Sequence, residues 1–300
     1  MNTGLDIGNG WTKFEDMRFA SKVKVGKLAT FGDKAKEKHQ VNYKGTDYIV
    51  GEGNIFIGDD RYNTLEYKLS VLTALGILHG DNPSDSITAK ICVGVPIGAF
   101  RRVSDKLKNI LLSMVNEKIV VNGRSLTITI EDATIFVEGA YPLLAKETLE
   151  GNTITIDVGA GTVNVTEWQG QTPIIKKTYN EAFYKMQDDI ATLLSEDYGL
   201  VDVSIDNVDQ YMGKSNITVG NRVIDISEHI KIMESTIQGI ASKIRVAFGT
   251  TTARKIYLMG GGAIATAELW GKYLGAVMVE NSQFINSRIY KSIAVQTYGN

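Results

Sequence analysis

One turn motif is written twice in the chain, first as Leu5-Asp6-Ile7-Gly8-Asn9-Gly10-Trp11-Thr12 and again as Ile156-Asp157-Val158-Gly159-Ala160-Gly161-Thr162-Val163. Both copies read apolar residue, Asp, Ile or Val, Gly, any residue, Gly. The two aspartates are 151 residues apart in a chain of 300, which is half-chain spacing. Each copy predicts a strand, a glycine turn and a returning strand. We therefore predict a duplicated α/β fold with two domains, residues 1–150 and 151–300.

The chemistry of these turns suits a polyphosphate. Glycine allows positive φ and lets backbone N–H groups approach an anion closely. A carboxylate beside phosphates indicates Mg²⁺, held by Asp6 and Asp157 through water, while Lys13 adds a positive charge. One such motif alone is also an ordinary hairpin turn; the repeat favours function. The predicted phosphate-binding residues are Asp6, Gly8, Asn9, Gly10, Trp11, Thr12 and Lys13 in the first turn, and Gly159, Ala160, Gly161 and Thr162 in the second.

A third glycine motif follows a short apolar run near the C-terminus. Residues 255–259 predict a strand that leads directly into Gly260, Gly261 and Gly262 and then into a helix. Backbone without side chains can lie flat against a base, a ribose or an α-phosphate, with a helix N-terminus behind it. Taken alone, the motif is equally consistent with a plain strand-to-helix turn.

Between the motifs, short apolar runs alternate with helical stripes, which is typical of βα units on parallel sheets. We predict helices over residues 65–78, 104–116, 139–149, 180–198 and 226–248, and strands over 90–95, 126–130, 134–137 and 255–259. Residues 153–168 are strongly β-patterned and contain the second glycine turn.

Composition excludes several classes of protein. The formal net charge is −2, so the chain lacks the excess of positive charge that holds nucleic acid directly. One cysteine excludes a disulfide framework, and three separated histidines argue against a histidine metal site. The longest apolar run, residues 91–100, is too short to span a membrane, and no secretory signal is present, so we expect a cytoplasmic protein.

The three motifs, in this order, resemble those of the actin, hexokinase and Hsp70 superfamily of ATPases. Residues 6–13 resemble its first phosphate loop, residues 157–162 the second and residues 258–263 its adenosine motif. Three further segments are similar to bacterial plasmid-segregation actins of the ParM type: residues 93–98, 281–284 and 298–300. The resemblance implies a duplicated, ribonuclease H-like fold with a nucleotide cleft between the halves. Smaller outer subdomains are expected at about residues 30–75 and 180–225, where the chain departs most from these relatives.

The resemblance also implies roles for individual residues. Glu138 is expected to begin a connecting helix and to activate the attacking water, and Asp157 to serve catalysis through the metal. A glutamate at a helix start is also simply favoured by the helix dipole. Many relatives have Asp or His where this chain has Asn164. Because Asn can orient water but cannot accept its proton, the departure places more of the catalytic burden on Glu138.

The resemblance implies a filament-forming ATPase that uses ATP, or GTP, with Mg²⁺ and releases ADP. Its partners would be further copies of itself, in a head-to-tail filament, and a centromere-bound adaptor protein that links it to plasmid DNA. Two alternatives remain in the same superfamily. A small-molecule kinase would need specificity insertions for which the chain has little room, and a chaperone-like or regulatory ATPase of the Hsp70 type would need a substrate domain.

Overall fold

The computed structural model describes residues 1–29, 37–55, 58–145, 151–199, 214–219, 221–249 and 254–299. They form two compact units. Unit 1 comprises Met1–Leu144 and Phe284–Asn300, and unit 2 comprises Ala145–Gln283. Residues 284–299 therefore belong to unit 1, although they stand in the second half of the sequence.

Unit 1 is built on one sheet of ten strands, in the order β3-β2-β1-β8-β10-β9-β5-β6-β4-β7. The strands are β1 Asn2–Ile7, β2 Trp11–Phe14, β3 Met17–Ala20, β4 Lys22–Val25, β5 His39–Tyr43, β6 Thr46–Val50, β7 Asn54–Ile55, β8 Ser86–Val95, β9 Glu117–Val121 and β10 Arg124–Val137. The central strands β1, β8 and β10 are parallel neighbours, so their carboxyl ends meet at one edge of the sheet.

Two helices of unit 1 cover this sheet, α1 Leu65–His79 and α2 Phe100–Leu112. The side chain of Thr64 starts α1 by accepting a hydrogen bond from the Tyr67 N–H, at 3.2 Å. Leu69, Leu72 and Leu75 of α1 are fully buried, which explains the apolar stripe that predicted a helix here.

The C-terminal helix α6, Ile285–Tyr298, lies against β1 and β8. Two strand glycines make the approach close enough. A Cβ at Gly4 would lie 2.6 Å from the Ser287 carbonyl oxygen, and one at Gly94 would collide with the Tyr290 ring. Glycine is therefore required where this helix crosses the sheet.

Unit 2 contains a five-stranded sheet in the order β13-β12-β11-β16-β17 and a separate two-stranded sheet. Its strands are β11 Asn152–Val158, β12 Val163–Gln169, β13 Thr172–Tyr179, β14 Asn216–Val219, β15 Arg222–Asp225, β16 Lys255–Met259 and β17 Val277–Met278, and its helices are α3 Phe183–Tyr198, α4 Ser227–Phe248 and α5 Gly261–Leu274. As in unit 1, a strand followed by the glycine turn, here β11, pairs parallel with its neighbour, β16.

Four predicted elements differ from the structure. The helix expected over 104–116 is α2, which begins and ends four residues earlier, at Phe100 and Leu112. The strands expected at 126–130 and 134–137 are one long strand, β10, with an irregularity between Ile130 and Asp132. The helix expected over 139–149 is a single 3-10 turn, Tyr141–Leu143, within the described residues. Parts of both expected outer subdomains, residues 30–36, 56–57, 200–213 and 220, lie outside the described chain. Among the described helices, none combines the length and the apolar character of a membrane-spanning segment.

Candidate functional site

The first glycine turn joins β1 to β2 in unit 1. The Gly8 N–H donates a hydrogen bond to the Trp11 carbonyl at 3.0 Å and closes the turn. Asp6 and Lys13 are cross-strand partners on the two strands, and their side chains form an ion pair of 3.1 Å that is almost completely buried. The predicted carboxylate and cation therefore lie together directly before the turn.

The second glycine turn joins β11 to β12 in unit 2 with the same hydrogen bond. The Gly159 N–H donates to the Thr162 carbonyl at 2.9 Å, and Asp157 faces Asn164 across the strands. Each of these positions is 151 residues beyond its counterpart in the first turn. A Cβ at Gly8 or at Gly159 would lie 3.0 Å from the carbonyl oxygen that closes its turn. The sequence repeat is thus a repeat of backbone geometry.

The two turns differ at the position that faces the aspartate. Lys13 in unit 1 is replaced by Asn164 in unit 2, which accepts a hydrogen bond from Thr178 Oγ1 at 2.9 Å and donates one to Thr162 Oγ1 at 3.3 Å. Asn164 is buried, so its amide is held in place by these two threonines. Asp157 is buried beside it, and the residue that faces it across the strand pair is Asn164.

The third glycine motif lies next to Asp157 in unit 2. Gly260 follows β16, has a φ of 94°, and starts α5. A Cβ there would lie 2.5 Å from the Val158 carbonyl oxygen and closer still to Asp157 Oδ1. Gly262 is packed almost as tightly, against Val158 and Phe183, whereas Gly261 has space around it. The strand-to-helix turn and the second glycine turn therefore form one packed group.

The start of α3 also meets the second turn, through a contact that the sequence did not indicate. The Tyr184 N–H in the first turn of α3 donates to the Ala160 carbonyl at 2.9 Å. This contact anchors the loop to the helix N-terminus. Apolar spacing predicted the helix but carries no information on where its first turn docks.

Glu138 lies directly after β10, at the edge of unit 1 where β1 and β8 also end. Its N–H donates to the Val95 carbonyl at 3.0 Å. The next residue, Gly139, has a φ of 77°, and its N–H donates to Asn286 Oδ1 at 3.0 Å. The prediction that Glu138 begins a helix is wrong for the described residues. Gly139 has a left-handed conformation and Pro142 lacks an N–H donor, so the chain forms only a 3-10 turn here.

Other residues of the first turn make contacts that sequence reasoning did not specify. The Thr12 hydroxyl forms a hydrogen bond of 2.9 Å with Ser21 Oγ, so its side chain binds within the protein. The Arg18 guanidinium stacks on the Trp11 ring at 4.3 Å. These two side chains support the hairpin, and the part of the turn suited to phosphate is its backbone.

An unpredicted group of buried side chains lies behind the first turn. Arg61 Nη2 donates to the Ile7 carbonyl at 2.5 Å, one residue before Gly8. Tyr62 and Tyr67 flank its guanidinium. Burial raises the pKa of the Tyr67 phenol, and the negative charges of Asp6 and Glu138 raise it further against the opposing charge of Arg61.

The donor set fits a magnesium ion that is bound mainly through water and phosphate. In the described part of the chain, no three Asp, Glu, His or Cys side chains come together as metal ligands. Mg²⁺ needs one or two carboxylates when phosphates and waters complete its octahedron. Asp157 is a buried carboxylate that lies beside the Gly260 backbone, where no side chain can intrude.

Comparisons with known proteins identify the fold. Residues 4–140 match the family model described as the N-terminal domain of actin-like proteins. No curated protein sequence matches the chain.

Solved structures match over nearly the whole chain. A 15-stranded ParM filament from Clostridium botulinum has a TM-score of 0.79 at 18% identity and covers 99% of this chain and 100% of that chain. The archaeal actin homologue Ta0583 in complex with ADP has a TM-score of 0.76 at 19% identity, with coverages of 99% and 100%. A non-polymerisable quadruple mutant of pCBH ParM reaches 0.80 at 18% identity, with 98% of both chains covered. Residues 4–140 therefore match the N-terminal domain of actin-like proteins, and the chain has, over nearly its whole length, the actin-like fold of these ParM proteins and of the archaeal homologue.

Proposed function

We propose that the chain is a nucleotide-dependent, filament-forming actin-like ATPase. The observation that supports this most is the repeated glycine turn, closed by the same hydrogen bond from Gly8 to Trp11 and from Gly159 to Thr162. Each turn follows a buried aspartate. An ordinary hairpin needs no carboxylate in its interior, whereas a Mg²⁺-polyphosphate site does.

Each unit would contribute to binding of ATP or GTP. In unit 1, the backbone of residues 8–10 and the Lys13 ammonium would bind phosphate oxygens, with Asp6 turned toward the ion. In unit 2, the backbone of residues 159–162 would bind phosphates, Asp157 would hold Mg²⁺ through its waters, and the backbone of residues 260–262 would lie against the nucleoside. The bound ion would neutralise phosphate charge during hydrolysis.

Hydrolysis would use Glu138 as the general base. A water oxygen attacks the terminal phosphorus while its proton passes to the Glu138 carboxylate. The bond from phosphorus to the bridging oxygen breaks and leaves its electron pair on the nucleoside diphosphate. A strand end suits this role, because the Glu138 backbone is fixed by its hydrogen bond to Val95. Asn164 would help to orient water.

Assembly would be head-to-tail, because a heterologous contact that does not close generates a helical filament. Two of the similar structures are themselves filaments, the ParM filament and that of Alp12. By analogy with ParM, the filament would move plasmid DNA in the cytoplasm through a centromere-bound adaptor. The net charge of −2 agrees with an indirect link to DNA.

The experiment measures phosphate release and light scattering together after Mg-ATP is added. The wild type should show both, and Asp157→Ala should lose Mg²⁺-dependent phosphate release. Asp188→Ala, which removes an exposed carboxylate from α3 in the same unit, is the matched control and should behave as wild type. Phosphate release from Asp157→Ala at the wild-type rate under limiting Mg²⁺ would refute the assignment of the second turn.

A further inference from the structure

Arg61 is a buried cation behind the first glycine turn. The residue is 7% exposed, its Nη2 donates a hydrogen bond to the Ile7 carbonyl at 2.5 Å, and its side chain also hydrogen-bonds the Tyr62 side chain. Among the residues that the structure describes, no carboxylate forms an ion pair with it. A guanidinium has five N–H donors, which is more than these two contacts use.

The surrounding residues hold this guanidinium in one place. It lies 4.8 Å from the centre of the Tyr62 ring and 5.7 Å from that of Tyr67, and the two rings pack edge to face. The backbone is fixed as well, since the Arg61 carbonyl accepts hydrogen bonds from both the N–H and the hydroxyl of Thr64, which also starts α1. The cation is therefore preorganised rather than free to turn toward solvent.

Burying a charge without a partner of opposite charge is costly, and an anionic ligand would supply that opposite charge. The carboxylate nearest in sequence to the Ile7 carbonyl, Asp6, already has Lys13 as its partner. The Arg61 guanidinium binds the carbonyl of Ile7, the residue directly before Gly8, and so lies at the turn suited to phosphate. Its planar fork matches the geometry of a phosphate.

The position of Glu138 indicates which phosphate. Glu138 directly follows β10, and its N–H donates to the Val95 carbonyl at the end of β8, the parallel neighbour of β1. Glu138 and the first glycine turn therefore lie at the same edge of the unit 1 sheet. Glu138 is the proposed base for attack on the terminal phosphate. We propose, on the basis of the proposed function, that Arg61 binds the terminal phosphate of a nucleoside triphosphate held at the first glycine turn. Arg61 would thereby distinguish the triphosphate from the diphosphate.

The test compares Arg61→Met, Arg61→Lys and the control Arg102→Met by calorimetric titration with ADP and a non-hydrolysable ATP analogue, with Mg²⁺. Arg102 is an exposed arginine of the same unit that pairs with Asp59. Arg61→Met should weaken binding of the ATP analogue by about tenfold or more, and that of ADP by less than about threefold. Arg61→Lys, which keeps the charge without the fork, should lie between, and the control should match the wild type.

Thermal unfolding without nucleotide separates a ligand-binding role from a structural one. Replacing an unpaired buried charge with an apolar side chain is neutral or stabilising, so Arg61→Met should unfold at or above the wild-type temperature. Lower stability together with equal losses for both nucleotides would overturn the inference, as would unchanged binding of the ATP analogue. A wild-type protein that binds neither nucleotide would instead refute the proposed function, and this inference with it.

Discussion

Gly260→Ala should destabilise the protein far more than the same substitution one residue later. Gly260 has a φ of 94°, and the new Cβ would lie 2.5 Å from the Val158 carbonyl oxygen. It would also collide with Asp157 Oδ1. Both obstacles belong to the second glycine turn, so relief requires movement of the site itself.

The expected magnitude has two parts. A positive φ with the extended ψ of 167° found at Gly260 costs a residue with a Cβ about 1–3 kcal/mol, and overpacking against neighbours that cannot yield adds about 1–3 kcal/mol. We therefore expect Gly260→Ala to lower the free energy of unfolding by about 3 kcal/mol. Because Asp157 is one of the displaced neighbours, affinity for Mg-ATP should fall as well.

Gly261→Ala is the matched control. The nearest atom to its Cβ would be Gln283 Nε2 at 4.0 Å, which is ordinary contact, and the residue lies in the first turn of α5. Alanine is favoured over glycine in a helix by about 0.5–1 kcal/mol, so this variant should be at least as stable as the wild type. Gly262→Ala should lie between the two, because its Cβ would meet the Val158 side chain at 2.7 Å.

The assay is urea unfolding followed by circular dichroism, with nucleotide affinity measured on the same samples. The predicted order of stability is Gly261→Ala, then Gly262→Ala, then Gly260→Ala. Equal midpoints for Gly260→Ala and Gly261→Ala would show that the turn is not packed against Asp157 and Val158, and would refute the reasoning.

Three further predictions address catalysis, a buried ion pair and pH. Glu138→Gln should slow phosphate release by about 10²-fold or more while nucleotide affinity stays nearly unchanged; normal turnover in a single-turnover assay would assign Glu138 to structure. Lys13→Met should cost about 3–5 kcal/mol in urea unfolding because it leaves Asp6 charged and unpaired, and the double variant with Asp6→Asn should recover most of this; no recovery would contradict the pairing. Burial lowers the pKa of His39 to about 4, because it disfavours the charged imidazole in the folded state. The free energy of unfolding therefore has its full value above about pH 6.5, decreases as the pH falls toward 4, and is lower by about 2 kcal/mol at pH 5 than at pH 7. His39→Gln should remove that part of the pH dependence, and an unchanged pH profile would refute it.

The elements that could be predicted from the sequence are those with a local signal. The repeated glycine turns were found because two glycines and an aspartate suffice to define each turn within eight residues. Helix α1 followed from its apolar spacing and is observed over Leu65–His79, and α4 was predicted within one residue of its observed start at Ser227.

The features that were missed depend on contacts between distant parts of the chain. Arg61 is 54 residues from the Ile7 carbonyl that it binds, and nothing in the surrounding sequence distinguishes it from a surface arginine. The packing of α6 in unit 1 depends on Gly4 and Gly94, which meet only after β1 and β8 have paired. The break after Glu138 was missed because the composition of residues 139–149 favours a helix, whereas Gly139 adopts a left-handed conformation.

Sedimentation of the purified wild type at tens of micromolar tests the central claim most directly. Three samples are compared, without nucleotide, with Mg-ADP, and with Mg²⁺ and a non-hydrolysable ATP analogue. The account predicts that the protein pellets with the ATP analogue above a critical concentration, pellets less with ADP, and stays in the supernatant without nucleotide, because a ligand shifts assembly only by its differential affinity for the two states. Protein that remains in the supernatant in all three samples would contradict the account and favour a kinase or a regulatory ATPase.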